Sequence, residues 1–402
     1  MLERLSKYLE NPNHPLLGPT LYGLKCWGMW QPLGVNRIIY NAIHFFAILF
    51  VISQYVELWF IRSNMELAIR NLSVTMLSTV CVIKAGTFVF WQKSWNDVID
   101  YVSGLENIQL SKRDRITNSV ISEYTKYSRS ITYSYWVLVT ATVFTVILAP
   151  LVGFLSSSDK DLMLNGTLAY PEIMSSWLPF NRSRGFGYWV AAIEHSLICF
   201  YGGGVVANYD SNAIVLMSFF AGQLKLLSIN CARLFNDNEV LKYSDTMKRI
   251  KDCHHHHVEI VKFSMVLNSL LSPVMFLYVI ICSLMICASA IQLTAEGTSN
   301  MQRIWISEYL MALIAQLFIY CWHSNEVLHM SSKVDEGVYA SHWSAQNVRV
   351  RRSVVLLGGQ LRRPIVFTAG PFTKLTISTF VADSEGIVQL LYAAKQERRL
   401  RT

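Results

Sequence analysis

At 402 residues, with 52% hydrophobic and only 15% charged side chains, the chain is too apolar for a string of ordinary soluble domains. Its formal net charge is +8, and the basic residues behind that figure are sorted by segment, as in a membrane protein. The apolar residues come in blocks matching a bilayer crossing, for which a helix needs about 20 residues.

In chain order, the opening MLERLSKYLE lacks the apolar core of a signal peptide. Leu2, Leu5 and Leu9 make a weak stripe suited to a helix along a membrane face or to a solvated terminal helix. Apolar stretches follow at 38–60, 72–91, 131–155, 187–207, 265–292 and 304–322, with a less apolar seventh at 371–394. The expected fold class is therefore all-α, a polytopic membrane protein with seven transmembrane helices. Between Asp210 and Lys262, Ile214, Met217, Phe220, Leu224 and Leu227, then Val240, Met247 and Ile250, recur near helical spacing. The fourth and fifth crossings should continue as long helices beyond the bilayer. The segments read as 1–37 N-terminal, 38–322 carrying six crossings, 323–370 a helical anchor, and 371–402 the last helix and tail.

With a cytoplasmic N-terminus, the inner segments carry 23 Lys and Arg and the outer loops 7, the asymmetry of the positive-inside rule. Seven crossings then leave the C-terminus extracellular. The three N-x-S/T sequons, Asn71, Asn165 and Asn181, fall in or beside the outer loops and are glycosylation candidates. None of the eight cysteines falls in an outer loop, so an external disulfide of the G-protein-coupled-receptor kind is not expected. Glu57, Lys84, Glu194 and His195 interrupt apolar helices and should face a polar interior or a partner, Lys84 above all.

Two clusters resemble metal sites. In His254–His257, adjacent residues diverge by about 100°, so only pairs such as His254 with His257 share a face, and two ligands are not a site. Cys321, His323, Glu326 and His329 include a Glu-x-x-His, but no second copy exists elsewhere to complete a carboxylate-bridged centre. No metal and no cofactor is expected. Phosphate-loop, H-E-x-x-H and G-x-S-x-G patterns are absent, so the chain is not read as an enzyme. Gly202–Gly204 lies inside a membrane helix, where close packing or a bend explains it.

From Tyr320 onward the sequence resembles the C-terminal region of insect odorant receptors: Tyr320-Cys321, Asn325, Ser331-Ser332, Val334, Tyr339, Trp343, Arg349, Arg351, Arg352, Pro364, Ala369-Gly370, Phe372, Leu375 and Thr379-Phe380. It departs from the pattern at Ser324, usually Gly, and at Ile387-Val388-Gln389, usually a Ser-Tyr-Ser-like element. The resemblance implies an odorant-specific subunit of a ligand-gated, non-selective cation channel in the sensory dendrite's plasma membrane, assembled with a co-receptor as a heterotetramer. A gustatory-type receptor of the related family is the alternative, and a secondary transporter a more distant one. No nucleic-acid partner is expected.

The resemblance places a small volatile ligand in the outer half of the bundle, and the candidates there are Thr75, Met76, Thr79, Phe144, Leu148, Ala192, His195, Trp305 and Tyr309. It makes the last helix the pore wall, where Gly386, Gln389, Ala393 and Gln396 form a small or polar stripe near Leu390 and Glu397. Assembly contacts are expected from Tyr320, Asn325, Glu326, Ser332, Tyr339, Trp343 and Arg351 in the inner anchor.

Overall fold

The computed structural model describes residues 9–31, 35–156, 170–180, 185–235, 242–293, 300–382 and 385. Leu2, Leu5, the sequons at Asn165 and Asn181, and the pore stripe from Gly386 onward lie outside them, as does the side chain of Trp305.

The described chain is almost entirely helical: α1 Gly18–Cys26, α2 Val35–Ile61, α3 Met65–Phe90, α4 Gln92–Ser111, α5 Arg115–Ser156, α6 Gly185–Ala232, α7 Tyr243–Leu293, α8 Asn300–Ser332, α9 Val334–Ala340 and α10 Val348–Leu361. Local chemistry sets several starts. Asn64 accepts a hydrogen bond from Leu67 N, Asp114 from Thr117 N and Asn347 from Val350 N, the N-cap arrangement at α3, α5 and α10. Among the described residues α2, α3, α5, α6 and α7 are long and apolar enough to cross a bilayer, and α8 covers the sixth expected stretch. The seventh stretch starts later than expected. Thr368–Ala369 and Thr373–Lys374 pair as a two-stranded hairpin, and helix resumes only at 377.

Helix α6 is the axis. Every residue from 207 to 224 is buried, and α5, α8, α9, α7 and α3 all pack on it. Apolar residues lie on every side of this stretch, with no single stripe, as such a position requires, and polar side chains such as Asp210, Asn212 and Gln223 are buried with them. The Gly202–Gly204 run serves close approach: a Cβ on Gly204 would lie 2.1 Å from the Trp27 ring. It does not break the helix.

Trp27 belongs to an N-terminal segment that folds under the bundle rather than lying loose. Leu17, Leu21 and Leu24 of α1 are buried. Leu16 N donates to Glu106 Oε2 at 3.0 Å, Arg129 Nη2 to Pro15 O at 2.8 Å, and Trp30 Nε1 to Asn96 Oδ1 at 2.8 Å.

The histidine run is also resolved. His256 Nε2 donates to Gln223 Oε1 (3.0 Å), which shares a reciprocal amide pair with Gln109. Burial, then His257, Lys112 and His255, hold the His256 imidazole down at about 4. Burial, then His254 and Arg363, do the same for His257, also at about 4. Both are neutral in the fold and gain a proton on unfolding, so their contribution is complete above about pH 6.5 and is lost as pH falls towards 4. Glu106, pushed up to about 6 by burial, acts in the opposite sense, stabilising below about 4.5 and losing that effect as pH rises through 6. Thermal unfolding should therefore drop by several degrees between pH 7.5 and 5.5 in the wild type. The drop should shrink in H256Q/H257Q and grow in E106Q; identical profiles would contradict the assignment.

Candidate functional site

The interior of the bundle is organised around one carboxylate. Lys84 Nζ of α3 lies 2.6 Å from Asp210 Oδ1 of α6, and neither side chain has exposed surface. Tyr320 OH donates to the same oxygen at 2.6 Å. Tyr135 OH donates to Oδ2 at 2.7 Å and Gln316 Nε2 at 2.5 Å. The Lys84 ammonium is also 5.1 Å from the Tyr278 ring centroid and 5.5 Å from that of Tyr209, a favourable face-on setting for a desolvated cation. Asp210 thus gathers donors from α3, α5 and α8. A buried charge is tolerated only when paired and hydrogen-bonded, and both conditions hold.

Of the proposed ligand residues, Thr75, Met76 and Tyr309 lie inward on α3 and α8, further from the α8–α9 end than this hub, and Thr79 faces α2. Thr75 is fully buried and donates to Asn71 O (2.9 Å), Met76 packs against the core, and Thr79 accepts from Tyr55 OH at 3.0 Å. Tyr309 donates to Met285 Sδ of α7 at 3.7 Å. The others fall elsewhere. Phe144 and Leu148 are about half-exposed on α5, with Phe144 edge-on to Phe200 of α6 at 5.7 Å. His195 is buried towards α2, its Nε2 2.9 Å from Ser176 Oγ and its ring 5.8 Å from Phe50. Ala192 lies one turn before Ser196, which donates to its carbonyl. One shared pocket does not contain all nine.

A family model described as "7tm Odorant receptor" matches residues 64–384, most of the chain. The chain belongs to the 7tm odorant receptor family. Odorant receptor 82a of Drosophila melanogaster is 25% identical over 360 residues, 88% of this chain and 91% of that one. Odorant receptor 33a of the same species is 22% identical over 89% and 91% of the two chains. The fold matches the solved insect olfactory receptor OR5 from Machilis hrabei in complex with eugenol, with a TM-score of 0.79 at 17% identity over 94% of this chain and 96% of that one. Its relatives are receptors, and the expectation of a non-enzyme stands.

In this odorant receptor the Tyr320–Trp343 stretch serves packing. His323 Nδ1 donates to Ile319 O at 2.7 Å and Nε2 accepts from Tyr127 OH at 3.3 Å, so both ring nitrogens are committed. Tyr320, expected at an assembly surface, instead faces Asp210. Asp335 is paired within the chain, accepting from Arg362 Nε at 3.0 Å. Tyr339 and Trp343 stack edge-on at 6.2 Å, Ser332 and Arg351 are exposed, and Asn325 and Glu326 are half-buried. Asn71 is a correction: it lies inside α3, 4% exposed, which leaves its amide no room for a glycan. Sequence reasoning missed Tyr135 and Gln316 as Asp210 partners, and Glu308, whose Oε1 accepts from Thr142 Oγ1 at 3.2 Å across α5 and α8. A polar residue every few turns in an apolar helix was the available signal.

Proposed function

We propose that this receptor is the odorant-specific subunit of a ligand-gated, non-selective cation channel, assembled with co-receptor subunits in a tetramer and held in the plasma membrane of a sensory dendrite. The observation that carries the reading is the arrangement of α3, α5, α6 and α8. Asp210 joins these helices at one level, while Met76 and Tyr309 line α3 and α8 at another. Small apolar ligands are held by such aromatic, thioether and aliphatic walls with few polar groups. A ligand there changes how the helices splay about a fixed pivot, and a population shift of a few kcal/mol suffices to open a channel. In this reading the last helix, with Gly386, Gln389, Leu390, Ala393, Gln396 and Glu397, lines the pore, and glycans sit on Asn165 and Asn181. The hairpin before it is tied to α7, since Gly370 N donates to Ser272 O at 3.1 Å and Thr368 N to Asn268 Oδ1 at 2.9 Å. The exposed arginines of the anchor face neighbouring subunits.

Voltage-clamp recording of cells carrying this chain with and without a co-receptor, against a volatile panel, tests the proposal. Cation currents requiring both chains are expected, and Met76→Trp should weaken the response to the best ligand by about tenfold. Surface-expressed complexes that pass no current to any volatile would sink it.

A further inference from the structure

We propose that a crevice between α2 and α6, open to the bilayer, is a second ligand site that takes a small amphiphile carrying one protonated amine. It is separate from the α3–α8 interior and does not rest on the channel reading. Phe46, Leu49 and Phe50 of α2, Leu178 of the 170–180 segment, and Glu194 and Leu197 of α6 enclose about 310 Å³, room for one small molecule. Phe46 and Leu197 are each 64% exposed, so the mouth opens sideways, towards lipid. The floor is built: His195 is bound to Ser176, Phe50 lies edge-on to His195, and Trp177 N donates to Ser53 O at 3.1 Å.

The polar groups of the lining are unequal. Ser53 Oγ already donates to Phe50 O at 2.7 Å. Glu194 makes no hydrogen bond or ion pair with the described residues. It lies nine residues into α6 from Gly185, roughly 13 Å along the axis. A carboxylate set among phenyl and leucyl walls is costly unless a cation or donor meets it, and among the described residues no Lys or Arg lines the crevice. An occupant that carries its own positive charge completes the site. Inorganic cations are unsuited, because they need several oxygen ligands and the walls are phenyl and leucyl. An ammonium on a short alkyl chain satisfies both halves: charge on Glu194, chain along Phe46, Leu49 and Leu197.

The test uses the purified full-length receptor in nanodiscs of zwitterionic lipid, with radiolabelled octylamine as probe, 1-octanol as the neutral molecule of equal length, and empty nanodiscs as background. Saturable octylamine binding is expected, about tenfold tighter than that of 1-octanol. Glu194→Gln should bring octylamine down to the 1-octanol level, and Leu197→Trp, on the exposed wall, should block both while folding is unaffected. Equal octylamine binding in wild type and E194Q, no saturable signal above empty nanodiscs, or indifference to L197W overturns the proposal. Loss in E308Q instead of E194Q moves the amine to the α5–α8 face and overturns it equally.

Discussion

Replacing Asp210 by Ala is expected to be the most damaging single change in the membrane bundle. It strands the Lys84 ammonium at zero exposure and removes the shared acceptor of Tyr135, Gln316 and Tyr320. Breaking a buried pair from one side costs about 3–5 kcal/mol, because the remaining charge has no compensation. The reverse change, Lys84→Met, should be milder. Asp210 keeps three donors, and the methionine chain still fills the space between Tyr209 and Tyr278. The double variant K84M/D210N should then be more stable than D210A, since neither charge remains. Thermal unfolding in detergent, followed by fluorescence-detected size exclusion, gives the order directly. If D210A melted within a degree of wild type, the hub would not be holding these helices together.

The second large effect is expected at Gly337, where α9 crosses α6. A Cβ there would fall 2.2 Å from Ser228 O and 2.7 Å from Ser228 Oγ. The nearer atom is helix backbone, so it cannot move aside as a flexible side chain would. Gly337→Ala should therefore separate α9 from α6 and cost about 1–3 kcal/mol, read as a lower melting temperature and reduced surface expression. Gly104→Ala is the matched control. Nothing lies within 4 Å of that Cβ, and an alanine inside α4 should stabilise by roughly 0.5–1 kcal/mol. Equal shifts at the two positions would count against the close α9–α6 contact.

How much of this was legible in the chain varies with the kind of signal. Helix positions followed from apolar blocks, because a bilayer demands long runs that composition cannot hide. The extension of α6 and α7 beyond those runs was visible in the spacing of Ile214, Met217, Phe220 and Leu224. Lys84 was recognisable as a residue in need of a partner, and Asp210 as the start of the helical continuation of the fourth crossing. Their pairing was not, since 126 positions separate them and only the packing of α3 on α6 brings them together. Tyr320 shows the opposite failure: a place in a motif says nothing about which way a side chain points. The ligand candidates scattered for the same reason. Thr75 and Thr79 share a face of α3 by spacing, whereas the facing of Phe144 and His195 depends on how α5 and α6 are rotated in the bundle. Glu194 and His195, adjacent in sequence, diverged into a crevice and a buried hydrogen bond.

The unbroken burial of residues 207–224 has a mechanical consequence. A rod gripped on all sides can neither roll nor slide without disturbing every neighbour at once, and close-packed interiors resist such change. This half of helix α6 is in that sense the stator of the receptor. The parts around it are each free on at least one side: α2 and α5 with their exposed apolar faces, and the hairpin that leads into the last helix. An axle held in this way keeps a common frame for every helix packed on it.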